Sequence, residues 1–284
     1  MVSLLLLRRR IRSIRNLAKI TRAMEMIATA RMRRAQERML AARPYAEKIK
    51  EMIGALASAI GEPAHPLLER REVRRVGLVF ISPDRGLCGG LHSNLNRFAA
   101  SFILRQEVPV SLVVVGKRGR DFMIRTGQDV RAEFTGLGYR PALADTLPIS
   151  RVVMEDFTNG VYDKVYIIYA RFISPMVQRP SVMELLPVRP PEPERPPAEY
   201  IYEPGIREVL DALLPRYVER EIYYAVLESV ASELAARMIA MRNATENANK
   251  LIEELTLLMN KVRQETITKE ILDIIGGAAA LGGR

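Results

Sequence analysis

Tryptophan is absent, and cysteine occurs once, as Cys88, in a chain of 284 residues. A lone thiol excludes an intrachain disulfide framework and fits a reducing compartment. The only histidines, His65 and His92, are too few for a His-based metal cluster, and neither has an evident catalytic partner. No apolar run approaches the roughly 18–20 residues that a membrane span requires. The most apolar stretch near the start is Leu4 to Leu7, and three arginines follow it, where a secretory signal would place them before. The chain is therefore expected to carry neither a targeting signal nor a membrane span. Low-complexity tracts are also missing, and 48% hydrophobic residues against 27% charged argue against disorder.

What is present is charge, and it is localised. The formal net charge is +10, and residues 1–43, with 12 Lys/Arg and 2 Asp/Glu, account for all of it. A basic segment of this kind is either a solvated helix face or a match for nucleic acid, a membrane surface or an acidic protein partner.

That segment has helical periodicity over about residues 4–58. Leu7, Ile11, Ile14, Leu17, Ala18, Thr21, Met24, Ile27 and Ala28 step by threes and fours. The stripe resumes at Ala35 and continues to Ile60, with Pro44 predicting a kink or helix boundary near Arg43. From about residue 74 to 186 the period changes. Strands are expected at 76–81, 110–115, 131–135 and 164–170, and helices at 93–106, 117–126 and 147–157. Such alternation predicts a parallel sheet covered on both faces. Residues 187–197, PVRPPEPERPP, predict an extended linker. A second helical pattern runs over about 206–275, with Pro215 predicting a bend or break near Asp211, and Gly276 and Gly277 predicting the stop.

Lengths set the architecture. Seventy helical residues span about 105 Å, whereas a compact domain of about 130 residues is roughly 35–40 Å across. The C-terminal helix must project beyond the middle block, and the N-terminal stripe is the one comparable partner for its seam. The expected fold is mixed α/β: a long antiparallel left-handed coiled coil of the N- and C-terminal helices plus a Rossmann-like α/β domain. In residue terms this means a first helix at 1–60, the α/β domain at 74–186, a Pro-rich linker and foot segment at 187–205, and a second helix at 206–284. The whole is a two-stranded rod with a globular knob near one end.

Chemistry-bearing motifs are scarce. Ser82-Pro-Asp-Arg-Gly-Leu-Cys-Gly-Gly-Leu91 follows the first strand, where a phosphate loop would sit, yet it lacks both the dinucleotide spacing and a Gly-Lys-Ser/Thr. It is better explained as a tight strand-to-helix turn that needs glycine. Gly116-Lys-Arg-Gly119 is too short to be a phosphate loop, and Cys88 fits a small buried apolar side chain. No catalytic residue, cofactor-binding residue or metal ligand is expected. The basic first helix lacks Phe, Tyr and Trp in residues 1–43, which argues against the alternative of a basic coiled-coil nucleic-acid-binding protein. A small α/β enzyme with helical arms is a third possibility.

Four strings carry a more specific signal. Ile11-Arg-Ser-Ile-Arg-Asn16 with Ile20-Thr-Arg-Ala-Met-Glu-Met-Ile27 resembles the N-terminal signature of the gamma subunit of F-type ATP synthases. Ser82 to Leu91 resembles that family's internal motif. Glu228-Ser-Val-Ala-Ser-Glu-Leu-Ala-Ala-Arg-Met-Ile-Ala-Met241 and Glu270-Ile-Leu-Asp-Ile-Ile-Gly-Gly-Ala278 are similar to its C-terminal helix and closing signature. The motifs stand in the family's order, at its spacing, from end to end.

The resemblance implies a non-catalytic central-stalk rotor that couples proton-driven rotation of a membrane c-ring to ATP synthesis or hydrolysis. The implied partners are the alpha and beta subunits of the catalytic ring, the epsilon subunit and the c-ring, with no nucleic acid and no direct small-molecule ligand. The implied location is peripheral, on the cytoplasmic face of the bacterial plasma membrane. By motif position Met24, Arg237, Gln264 and Thr268 match residues that contact beta subunits, the last three expected to point outward. Tyr202, Glu203 and Pro204 match the segment near the c-ring. Leu5 and Leu6 stand where the family usually carries charge, and Pro215 departs from its pattern. The cysteine-bearing insertion of chloroplast members is absent, so thiol regulation is not expected.

Overall fold

The architecture was established from a computed structural model, which describes residues 3–60, 65–190, 202, 203 and 205–281. Among the described residues eleven elements follow one another, and all but one short 3-10 turn at Pro66–Leu68 are helices or strands. The helices are α1 (Leu4–Ile60), α2 (Leu91–Leu104), α3 (Lys117–Arg125), α4 (Leu143–Thr158) and α5 (Ile206–Leu281). The strands are β1 (Val76–Ile81), β2 (Val110–Val115), β3 (Asp129–Phe134), β4 (Lys164–Ser174) and β5 (Val177–Leu186). The chain divides into two compact units, residues 28–237 and residues 1–27 with 238–284.

In the first unit five strands form one sheet in the order β3-β2-β1-β4-β5. Four are parallel, and β5 returns antiparallel along the β4 edge. Expectation stopped at the parallel strands. The β4–β5 hairpin escaped because residues 177–186 are half-exposed and carry Arg179, Pro180 and Glu184, so no apolar run marks them. β1 is buried at every position, as a central parallel strand covered on both faces must be. Alternation assigns its side chains to two cores. Val79 and Ile81 join Val113, Val115 and Ile167 against Ile149, Val153 and Phe157 of α4, together with Ile53 and Leu56 of α1 and Leu214, Val218 and Ile222 of α5. Leu78 and Phe80 join Leu112, Val114 and Ile168 against Leu91, Leu95 and Ala99 of α2, Met123 of α3 and Ala236 of α5. Each Val, Leu, Ile, Phe or Met side chain fully removed from water in these layers contributes about 1.5–3 kcal/mol.

The second unit consists of the start of α1 and the end of α5. Leu7 and Ile11 cluster with Leu255. Further along α1, the Thr21 hydroxyl lies 2.7 Å from that of Thr245, and the Glu25 carboxylate accepts from Arg242 at 3.1 Å. Numbers rise along one helix as they fall along the other, so the pair is antiparallel.

Three expectations about helix ends need correction. α1 runs unbroken through Pro44, and α5 runs unbroken through Pro215. An interior proline costs about 3 kcal/mol. Around Pro215 that cost is met by packing, since Leu210, Leu214 and Val218 are all buried in the first core. Gly276 and Gly277 do not stop α5, which continues to Leu281. Gly276 keeps a right-handed backbone instead of the positive φ of a helix-ending glycine. Of the proline-rich linker, residues 191–197 lie outside the described residues; before them the Val188 N–H donates to the Leu67 carbonyl at 2.8 Å.

Candidate functional site

The loops that follow β1, β2 and β3 meet at the carboxyl ends of the parallel strands. Side chains of the Ser82–Leu91 motif hold them together. The Ser82 hydroxyl lies within 3.1–3.2 Å of the Val115 and Gly116 carbonyls and accepts the Gly119 N–H at 2.8 Å. One Asp84 carboxylate oxygen accepts the Lys117 N–H at 3.0 Å and the other accepts the Gly136 N–H at 2.9 Å. A single carboxylate thereby ties three loops. Gly116 has a φ of 95°, and a Cβ there would sit 2.0 Å from the Ser82 carbonyl oxygen. Both the left-handed backbone and the close approach demand glycine. Gly116-Lys-Arg-Gly119 is thus the counterpart into which the first motif locks.

The same loop is anchored to α5. Arg237 donates through one nitrogen to the Gly86 carbonyl at 3.0 Å and to the Glu233 carboxylate at 2.6 Å. Both side chains of this ion pair are more than nine-tenths buried. The Tyr139 hydroxyl donates to the same Glu233 oxygen at 3.4 Å. Three guanidiniums, those of Arg31, Arg85 and Arg237, lie 5.2, 5.7 and 5.4 Å from the Tyr139 ring centre. Burial pushes the Glu233 carboxyl above the ordinary carboxylate range, against the opposing pull of Arg237. Burial also raises the Tyr139 phenol, with Glu233 adding to it. Cys88 is 1% exposed among Leu91, Leu95 and Phe80, and burial raises its thiol, so it lacks the thiolate character of a nucleophile.

The structure distributes the sequence-predicted contact residues unevenly. Arg237 points inward to Glu233 and Gly86, not outward, because its four-residue spacing from Glu233 lets the two pair on one buried helix face. Gln264 and Thr268 are exposed on α5 and share a face by the same spacing. Met24 is half-buried on α1, one residue before Glu25. The antiparallel register sets Glu25 beside Arg242, so Gln264 lies 22 residues further along α5, about 33 Å by helical rise. Met24 and the Gln264–Thr268 pair therefore do not meet. Tyr202 is half-buried against the first core, Glu203 is exposed, and Pro204 lies outside the described residues. Sequence reasoning missed Glu233, although it stands in the quoted C-terminal motif four residues before Arg237. It also missed Tyr139, for which no local signal exists. Among the described residues no group of three or more His, Cys, Asp or Glu could hold a metal ion, and no helix is long and apolar enough to cross a membrane.

The fold is shared with chains of solved rotary assemblies. A chain of the Euglena gracilis mitochondrial ATP synthase structure (OSCP/F1/c-ring, rotational state 3) superposes with a TM-score of 0.68 at 19% identity, covering 98% of this chain and 94% of that one. A chain of the Tetrahymena thermophila mitochondrial ATP synthase central stalk and c-ring gives 0.62 at 24% identity, covering 79% and 99%. At sequence level a family model described as ATP synthase matches residues 3–281. The ATP synthase gamma chain of Dehalococcoides mccartyi (strain CBDB1) is 58% identical over 284 residues, covering 99% of this chain and all of the relative. That of Roseiflexus castenholzii is 51% identical over 281 residues, covering 97% of each. The chain belongs to the ATP synthase gamma-chain family.

Proposed function

We infer that this chain is the central-stalk rotor subunit of an F-type ATP synthase, itself non-catalytic, which couples rotation of the membrane ring to nucleotide turnover in the catalytic ring. Family membership supports the role, and one structural observation supports the mechanics. Past the seam with α1, α5 carries Ile267, Ile271, Leu272, Ile274 and Ile275 with 48–71% of their surface exposed. Apolar side chains crowded on one helix end call for cover by other chains. A sleeve formed by alpha and beta subunits would provide it, with few polar contacts to hold one angle.

Met24, Gln264 and Thr268 reach beta subunits directly in this reading. Arg237 acts through the Gly86 loop that it holds, because its guanidinium is buried inside the chain, with one nitrogen bonded to Gly86 and Glu233. Tyr202, Glu203 and Pro204 lie toward the c-ring, and epsilon sits beside the α/β unit. The location is peripheral, on the cytoplasmic face of the bacterial membrane. A rotor must differ from the symmetry of its sleeve, since it shifts each catalytic site only through unequal contacts; two unlike helices inside a threefold ring meet that condition. The test is reconstitution with alpha and beta subunits and observation of ATP-driven rotation of a bead on this chain. Rotation in steps of one third of a turn is expected. Failure of a correctly assembled complex to rotate would refute the reading.

A further inference from the structure

At the carboxyl ends of β1, β2 and β3 the unit of residues 28–237 encloses an open cavity of about 620 Å³. Its cationic wall is built by Arg31, Arg34 and Arg38 from α1, Arg85 from the first loop, Lys117 at the start of α3 and Arg140 from the third loop. All six are exposed, and none makes an ion pair among the described residues. The two carboxylates that line the cavity do not neutralise them. Asp84 spends an oxygen on each of two backbone N–H groups, and Glu233 is bound to Arg237 and Tyr139. Arg31 and Arg85 lie over the Tyr139 ring instead of against an anion.

Six cations converging on one concave surface repel each other unless an anion is shared between them, and a cleft focuses their field outward. Five of the six are arginines, whose planar forks match phosphate oxygens two at a time. The volume falls in the range of small-ligand sites, and its position outside the carboxyl ends of parallel strands is where α/β sheets take ligands. The face of Tyr139 is occupied by guanidiniums, so no free aromatic surface remains to stack a base.

We propose that this cleft binds a compact polyanion of the condensed-phosphate class, a chain of two to three phosphoryl groups, either free or as the tail of a nucleotide. The sequence alone gave no reason to expect a small-molecule ligand. The cleft becomes visible only when α1 and three separate loops come together. The inference does not depend on the rotor reading.

The test is calorimetric titration of the full chain with inorganic tripolyphosphate at fixed ionic strength. Saturable one-to-one binding is expected, weakening as salt is raised. The variant Arg34→Gln/Arg38→Gln/Lys117→Gln should lose at least tenfold in affinity. The control Arg8→Gln/Arg9→Gln/Arg10→Gln removes equal charge from the other unit and should change affinity less than twofold. All six substitutions are at exposed positions, and unchanged circular dichroism would confirm that both variants fold. An ATP arm separates the two sources: equal affinity assigns the free condensed phosphate, and tighter ATP assigns the nucleotide tail. Unsaturable binding, equal loss in both triple variants, or tighter binding of a glutamate-rich peptide that displaces tripolyphosphate would overturn the proposal. The last outcome would make the cleft a protein-docking surface.

Discussion

Two stretches of α5 obey opposite rules. Between Ala225 and Arg237 every residue is buried except the half-buried Ser229, on all sides of the helix. Between Ile267 and Gly276 every residue is exposed, including the isoleucines and leucines. The first stretch fills its unit with small residues, Ala231, Ala235 and Ala236, and with hydroxyls that bond to β4. Ser232 donates to the Ala170 carbonyl at 2.9 Å, and Ser229 accepts the Ala170 N–H at 3.4 Å. Among the described residues nothing covers the second stretch in this way. A helix buried within its own chain has to pair its charged groups internally, as the first stretch pairs Arg237 with Glu233. The second stretch leaves large apolar groups exposed, a surface of the kind that marks contact with other chains. The comparison teaches that one helix carries two surfaces, one filling its own core and one left apolar and exposed.

The largest effect that would break this contrast is expected at the loop beneath the first stretch. Gly116→Val should cost more than about 3 kcal/mol, because it adds a strained φ to a clash with the Ser82 backbone. Urea unfolding of the full chain would measure it, and a near-neutral result would mean that the two glycine-containing motifs do not lock together. Next is Arg237→Ala, which leaves the Glu233 carboxylate buried without its ion-pair partner and should cost about 3–5 kcal/mol. Glu233→Ala/Arg237→Ala should recover part of that loss. If the single variant kept full stability while rotation failed, Arg237 would be acting on a partner and not on the Gly86 loop.

A smaller effect concerns pH. Burial raises the Glu221 carboxyl above its ordinary 4.5, opposed by the charge of Lys50. The folded state then binds more protons than the unfolded state above about that pH. Glu221 therefore contributes stability in acid that is lost as pH rises through its folded pKa. Glu221→Gln should flatten this decline, and melting curves taken between pH 4 and pH 7 would reveal the change in slope. The smallest stability changes belong to the second stretch. Ile267→Ser, Gln264→Ala and Thr268→Ala should each alter unfolding of the isolated chain by less than about 0.5 kcal/mol. In the assembled complex they should lower ATP turnover, non-additively for Gln264 and Thr268 if these meet one patch. Wild-type turnover in all three would leave torque to shape alone.

Much of this was legible from residue order. β1 and β2 announce themselves as unbroken apolar runs, because a parallel strand buried on both faces has no polar positions to spare. The stripes of α1 and α5 follow from the 3.6-residue period, and the charge of residues 1–43 is a matter of counting. The Arg237–Glu233 pair was within reach through its four-residue spacing. Prolines and glycines misled. Pro44, Pro215 and Gly276 carry local penalties of about 1–3 kcal/mol, which a long packed helix absorbs from neighbours distant in sequence.

The sequence by itself determined the periods, the place of the excess charge and the absence of any catalytic motif. These depend on neighbours a few residues away, which local sterics and counting capture. Tertiary structure alone decided that Arg237 turns inward, that Asp84 ties three loops, and that Tyr139 gathers three arginines beside an open cationic cleft. Those contacts join residues as far apart as Arg31, Asp84, Tyr139 and Arg237. Their energies arise from burial and from charges brought together, quantities that exist only once the chain has closed on itself.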